Sequence, residues 1–160
     1  MNFPPIFASE EEATRAYIAC GKVALNWGPV ELAVESFVIL LRHRPRDVEV
    51  DEFPLIFSRK VKAAKRLLKL NVANSDLLDL ARPLFGRAKE LHSIRVDVVH
   101  SLCQGTDLNG VMRFGKSDQK RGVSYTEARH TIAQINDAAD EMRSVRASLE
   151  ALFSTLRTRS

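Results

Sequence analysis

The chain has 160 residues, 45% hydrophobic and 28% charged, which is typical of a single globular domain with a real core. Its net charge of +4 and its pI near 9.3 permit an anionic partner without requiring one. The uninterrupted apolar runs are too short to span a membrane, and the first segment has no secretory features, so we expect a cytoplasmic protein without a membrane partner. Cys20 and Cys103 fit no metal-ligand spacing, which predicts free thiols and neither a metal nor a cofactor.

The first helix is predicted to begin at a capping box, Ser9-Glu10-Glu11-Glu12, in which Ser9 accepts from the third helical amide and Glu12 reaches back. It runs towards Arg44. The Gly28-Pro29 pair predicts a kink or a break, because proline removes a backbone donor and crowds the preceding turn. The apolar positions follow helical steps of three and four residues: Ala24, Trp27, Val34, Val38 and Leu41.

The second helix is predicted to have one apolar face and one strongly basic face. It follows a loop at residues 47–53, and Pro54 suits its first turn. The apolar stripe is Phe57, Val61, Ala64 and Leu68, and the basic residues lying about 180° away are Arg59, Lys62, Arg66 and Lys69. This basic face either follows an RNA phosphate backbone or is a solvated surface, and no aromatic residues interleave with it to stack on bases.

The third helix is predicted to run from a cap at Ser75 to about Cys103, with a disturbance near Pro83. Its main stripe is Leu80, Leu84, Ala88, Leu91, Ile94, Val98 and Leu102. Val96, Val99 and Cys103 widen the apolar arc further, so we expect a central helix of a bundle. Because the arc is too wide for one bundle face, it also predicts a homodimer.

Residues 104–126 are punctuated by glycine and predict a short β-hairpin or an ordered loop. A second capping box, Ser124 to Glu127, is predicted to open the last helix, which reaches about Arg157. The seam of that helix is Ala128, Ile132, Ile135, Ala139, Met142, Leu149, Phe153 and Leu156. Arg146 falls in the seam, so either Val145 takes over the contact or Arg146 meets an acidic partner across an interface.

Together these patterns predict an all-α fold over residues 1–160, an antiparallel four-helix bundle with a hairpin or loop inserted before the last helix. Short connections join the helices, and no linker divides the chain. The long seam of the last helix supports the same homodimer as the wide arc of the third.

Arg95 and His100 are the candidate catalytic residues. They lie five residues apart near the end of the third helix, which corresponds to about 140° of rotation and about 7.5 Å of rise, so they do not share a helical face. For the two side chains to meet, the Arg95 side chain must curl round the helix, the helix must end near His100, or the partner residue must come from a second subunit. Together, a guanidinium and an imidazole can hold a phosphate and move a proton. Alternatively, Arg95 pairs with Glu31 or Asp97, and His100 caps the helix C-terminus.

Glu31 is a candidate supporting residue because it falls within the apolar stripe of the first helix. A buried carboxylate needs a partner, and Arg95 or His100 would serve if the first and third helices touch. The alternative is that the Gly28-Pro29 break turns Glu31 towards solvent.

The pattern Arg95-x-x-x-x-His100 near the end of the third helix resembles the HEPN superfamily, whose members carry an Arg, four to six intervening residues and a His at this place. The resemblance extends to the architecture of most of the chain. The residue after the Arg is often Asn, Asp or His in the family, whereas here it is Val96, and the candidate supporting residue Asp97 comes one position later.

What the resemblance implies is a homodimer with two motifs facing each other across a cleft. Such proteins are often metal-independent ribonucleases that act as toxins or in phage defence, and an antitoxin or regulatory protein is then a partner. Other members are non-catalytic dimerisation or RNA-binding modules. In an active member, His100 would assist proton transfer at the ribose 2′-hydroxyl or the leaving oxygen, and Arg95 would hold the phosphate.

Overall fold

The computed structural model describes residues 6–42, 54–72, 75–118 and 124–158. These residues are mostly helical and include a small antiparallel sheet. The elements in chain order are α1 (Glu10–Arg42), α2 (Phe57–Asn71), α3 (Ser75–His100), β1 (Leu102–Thr106), β2 (Val111–Asp118), β3 (Ser124–Thr131) and α4 (Ile132–Thr158). The predicted loop at 47–53 and the predicted helix end at Arg44 lie outside the described residues.

The prediction of a mostly helical fold is confirmed, and the described residues form four helices. The insertion before the last helix is a three-stranded sheet in the order β1-β2-β3, so the prediction of at most one hairpin there is wrong. The missed strand is β3, which pairs with β2 from Val111↔Thr131 to Asp118↔Ser124. The Ser124-to-Glu127 pattern resembles a helix cap locally. The pairing of eight residues with β2 outweighs that local preference, because each strand residue gains ladder hydrogen bonds and cross-strand contacts.

Helix α4 therefore begins at Ile132, with a capping box about two turns later than predicted. The Gln134 amide donates to Thr131 Oγ1 at 3.0 Å, and the Thr131 amide donates to Gln134 Oε1 at 2.8 Å. This reciprocal pair satisfies two amides that the helix leaves without partners.

Helix α1 begins as predicted. The Glu12 amide donates to Ser9 Oγ at 3.1 Å, while the Glu12 carboxylate accepts from the Ala8 amide at 2.8 Å. The helix continues through Pro29, so no break occurs there. Buried side chains on both sides of Pro29 hold this turn in place, and their packing outweighs the roughly 3 kcal/mol cost of an internal proline. Helix α3 likewise continues through Pro83 but ends at His100, because Leu102 and Cys103 belong to β1.

One compact unit comprises the described residues within Met1–Trp27 and Ser93–Glu141. Its core is Phe7, Ala16, Ala19, Val23, Trp27, Met112, Phe114, Ile132, Ile135, Ala138 and Ala139. Two polar contacts join α1 to α4 within it: Lys22 Nζ donates to Asn136 Oδ1 at 3.1 Å, and Asn26 Nδ2 donates to the Ala139 carbonyl at 2.8 Å. These bonds, together with the apolar core, position the sheet and the end of α3.

The second compact unit comprises the described residues within Gly28–His92 and Met142–Ser160. The Phe37 ring makes edge-to-face contacts at its centre with Phe85 and Phe153, at centroid distances of 5.3 and 5.7 Å. Val145 is buried, whereas Arg146 is exposed and pairs with Glu150 at 2.8 Å. Val145 thus takes the seam position, as one of the two alternatives predicted.

Three predicted stripe positions are exposed in the structure, namely Ala24, Leu80 and Leu102. Helix α1 is also long and apolar enough, by length and composition, to cross a membrane, which a count of uninterrupted apolar runs did not detect. Core helices of soluble proteins pass the same test, so this property assigns no location to the protein.

Candidate active site

Arg95 and His100 contact each other in the structure, with Arg95 Nη1 against His100 Nε2. Because the helix ends at His100, the imidazole need not point in the direction that regular helical geometry would give it. The long Arg95 side chain covers the remaining gap. His100 is exposed and Arg95 is half-buried, so both groups lie where a ligand can reach them.

The chemistry of the two groups sets the direction of a hydrogen bond between them. A guanidinium has five N–H donors and no acceptor. If the two groups share a hydrogen bond, Arg95 is the donor and His100 Nε2 is the acceptor. A ligand that draws Arg95 away would then leave the Nε2 lone pair free to take up a proton.

Asp97 lies on the same turn as Arg95, and its partner is His130 of β3. His130 Nε2 and Asp97 Oδ2 are 3.0 Å apart, and the two side chains are 19% and 22% exposed. The His130 ring also lies 6.0 Å from the Phe114 ring of β2. The sheet is thus tied to the last turns of α3 by a polar contact two residues from Arg95.

Sequence reasoning missed His130 because its segment was read as the start of a helix. The available signal was alternation, because the charged residues Glu127 and Arg129 alternate with Ala128 and His130. In the folded strand the first two are exposed and the last two are half-buried. Their β2 partners Phe114 and Met112 are buried. An inward-facing histidine on a strand needs a polar partner, and Asp97 supplies it.

Glu31 has a partner that the sequence did not predict. In the second unit, Lys60 of α2 is only 6% exposed, and its Nζ lies 2.6 Å from Glu31 Oε1 and also contacts Glu35 Oε1. Burial alone would lower the pKa of Lys60, but the hydrogen bonds and charges of Glu31 and Glu35 outweigh it and hold the pKa above its ordinary value. The cluster carries one more negative charge than positive charge.

The predicted basic face of α2 is present. Phe57, Val61, Ala64 and Leu68 are buried, and Arg59, Lys62, Arg66 and Lys69 are exposed, as is Lys65. Helix α2 contains no acidic residue. Among the residues that the structure describes, none of these five cations forms an ion pair. They give α2 an exposed positive face that no acidic residue of the same helix neutralises.

The remaining candidates for chemistry are few. Cys20 and Cys103 are free thiols, and burial, with a smaller contribution from the charge of Cys103, raises the pKa of Cys20 to about 11. A thiol with this pKa is a poor nucleophile at neutral pH. Within the described part of the chain, no cluster of three or more His, Cys, Asp or Glu residues could hold a metal ion.

Comparisons of this chain with protein-family models, with curated proteins and with solved structures found no match. The resemblance to the HEPN superfamily therefore stays a prediction based on Arg95, His100 and the helical architecture around them.

Proposed function

We propose that this protein is a metal-independent RNA endonuclease related to the HEPN superfamily, acting as a homodimer. The observation that carries the proposal is the contact between Arg95 and an exposed His100 at the end of α3. It supplies a phosphate-binding cation and a proton acceptor on adjacent atoms, which are the two groups that cleavage of RNA by its own 2′-hydroxyl requires.

The proposed reaction begins when an RNA phosphate binds the Arg95 guanidinium, which can grip two phosphate oxygens. Arg95 then leaves His100 Nε2, whose lone pair takes the proton of the 2′-hydroxyl as the 2′-oxygen attacks phosphorus. The bond from phosphorus to the 5′-oxygen breaks, and that oxygen takes up a proton from protonated His100 or from solvent. The products are a 2′,3′-cyclic phosphate and a free 5′-hydroxyl, with no change in oxidation state.

Asp97 and His130 support this chemistry as positioning residues. Their contact at 3.0 Å connects β3 to the turn that carries Arg95. A side chain that must hold a phosphate in one geometry gains from a rigid backbone, because small displacements of catalytic groups are costly in rate.

The alternative is a non-catalytic HEPN-like module for dimerisation, regulation or RNA binding. The observation that favours it is the residue pattern after Arg95. Val96 occupies the position where active members often have a polar residue, and the neighbouring Asp97 is engaged by His130. The alternative retains RNA binding by α2 and dimerisation but requires no cleavage.

The proposal extends to the setting of the protein. We propose an antiparallel bundle for its four helices, a cytoplasmic location, and a role as a toxin or in phage defence with an antitoxin or regulatory protein as partner. The free thiols of Cys20 and Cys103 suit a reducing compartment.

The test is incubation of the purified protein with structured and unstructured RNAs in buffer containing EDTA. We expect fragments ending in 2′,3′-cyclic phosphate and 5′-hydroxyl. The same sequences carrying 2′-O-methyl groups should remain intact, because they lack the attacking oxygen. Failure of a folded dimer to cleave any RNA, or cleavage that EDTA abolishes, would contradict the ribonuclease proposal.

The basic face of α2 is proposed to bind the RNA backbone. Lys62→Glu/Arg66→Glu should weaken RNA binding at low salt and reduce the slope of log affinity against log salt by about 2, one for each lost phosphate contact. Filter binding or fluorescence anisotropy at several salt concentrations measures this slope. The matched control is Arg143→Glu/Arg157→Glu on α4, which makes the same change of charge at two exposed cations outside this face. An unchanged affinity in the double variant would assign the α2 face to ordinary solvated surface.

A further inference from the structure

An exposed apolar row runs along α1. Ile18, Leu25, Leu32 and Ile39 are 53%, 79%, 62% and 49% exposed. They are spaced seven residues apart, so they follow one side of the helix with a drift of about 20° per step. The sequence had instead indicated α3 and α4 as the helices with unpartnered apolar surface. Exposed large apolar residues in a row are unusual on a monomer and mark a surface that binds something.

Two glycines lie between the large residues of this row, and no close contact within the described chain requires a glycine at either position. A Cβ added at Gly21 or at Gly28 would meet no atom within 4 Å. Each glycine costs about 1 kcal/mol in a helix relative to alanine. Small residues beside large ones on an exposed helical face allow a second helix to approach closely, with its large side chains between them.

The row is self-complementary when the helix is reversed. Its midpoint falls between Gly28 and Pro29, so reversal exchanges Ile18 with Ile39 and Leu25 with Leu32. Two small residues beside the row follow the same exchange, because reversal places Gly21 opposite Ser36. A surface that matches its own inverted copy is what a two-fold symmetric interface requires.

In the second unit, a groove lies beside Leu32 of this row. It has a volume of about 550 Å³ and is lined by α1 and α4 residues, including Gly28, Leu32, Ser36, Leu149 and Phe153. In the reversed alignment, Leu25 of a second copy comes opposite Leu32, at the mouth of this groove. A leucine side chain inserted between residues of a facing helix is the basic contact of paired helices.

We propose that this face of α1 binds the same face of a second copy of the chain, with the two helices antiparallel and the two-fold axis near Gly28 and Pro29. The proposal deepens the homodimer of the proposed function by naming its interface, and it does not depend on RNA cleavage. Helix α1 is then the dimerisation helix, and its apolar length serves a protein contact.

The test uses paired charges at the two central leucines. In the antiparallel alignment Leu25 of one copy faces Leu32 of the other. Leu25→Glu/Leu32→Glu therefore places like charges opposite each other and should give a species of 18.0 kDa, whereas the wild type should give about twice that mass. Leu25→Glu/Leu32→Lys places opposite charges together and should restore the dimer. Light scattering at micromolar concentration measures the mass, and circular dichroism checks the fold.

Leu80→Glu is the matched control, because Leu80 of α3 is 61% exposed, close to the 62% of Leu32. It should leave the dimer intact. The proposal is overturned by a monomeric wild type, whether or not it binds phosphatidylcholine vesicles, by a dimer that survives Leu25→Glu/Leu32→Glu, or by no difference between the two paired variants. Because RNA cleavage is not a readout here, a dimer that passes this test and cuts no RNA separates the two proposals.

Discussion

His100→Ala is expected to lower the rate of RNA cleavage by about 10²-fold or more, the usual scale for removing one acid–base group. Arg95→Ala is expected to cause a loss of similar size, because the guanidinium stabilises charge that develops on the phosphate. The two residues contact each other in the structure, so they serve the same step. The double variant should therefore lose little more activity than either single variant.

The controls for this prediction come from the same helix. His92→Gln and Arg82→Ala change a histidine and an exposed arginine of α3, and neither should affect cleavage beyond a few-fold. Circular dichroism and light scattering confirm that each variant remains folded and keeps its oligomeric state. Cleavage that persists in both His100→Ala and Arg95→Ala would contradict the mechanism, because proton transfer and phosphate binding would then rest on other groups.

Lys60→Met is expected to destabilise the fold by about 2–3 kcal/mol at neutral pH, at or just below the roughly 3–5 kcal/mol typical of breaking a fully buried ion pair. The lysine lies between the carboxylates of Glu31 and Glu35, one turn apart on α1. Without it, two like charges face each other across an apolar side chain. Because the glutamates are 29% and 24% exposed, water screens part of this cost. Chemical denaturation followed by circular dichroism measures the change.

The triple variant Lys60→Met/Glu31→Gln/Glu35→Gln is the matched comparison. It removes all three charges and should recover most of the lost stability, because replacing a whole buried ion cluster is often nearly neutral. A Lys60→Met variant within about 0.5 kcal/mol of the wild type, the usual range for surface substitutions, would contradict the prediction.

The same cluster of Lys60, Glu31 and Glu35 predicts that the free energy of unfolding depends on pH. Burial lowers the pKa of Lys60, but the hydrogen bonds and charges of Glu31 and Glu35 outweigh it, so the pKa is higher in the folded chain than in the unfolded one. The stability contributed by the lysine is therefore complete below its unfolded pKa of about 10.4 and is lost as the pH rises through the folded pKa. The wild type should lose this contribution in the alkaline range, and the triple variant should not.

The two faces of α2 could be predicted because they depend only on helical periodicity. Apolar side chains at three- and four-residue steps must share a face, and the cations between them must face away. The start of α1 was equally predictable, since Ser9 and Glu12 cap amides within a few residues of themselves. Lys60 falls on the buried side of the same helix, and its partners come from α1, which periodicity alone does not reveal.

The segment from Ser124 to Thr131 shows where local reasoning failed. A Ser-x-x-Glu pattern indicates a helix start when only neighbouring residues are considered. In the folded chain β2 lies alongside, and pairing with it makes the extended conformation more stable. The actual cap, formed by Thr131 and Gln134, has the same chemistry about two turns further along the chain.

The sequence by itself determined the helical character of the chain and the basic face of α2. It also identified Arg95 and His100 as two groups that could bind a phosphate and transfer a proton. These follow from residue types and from spacing along one element. The tertiary structure alone decided that α3 ends at His100 so that the pair meets, that His130 holds Asp97, and that Lys60 joins Glu31 to Glu35. Each of these contacts either joins two different elements or depends on where an element ends. Packing between segments that are distant in the chain sets the positions of the elements and of their ends.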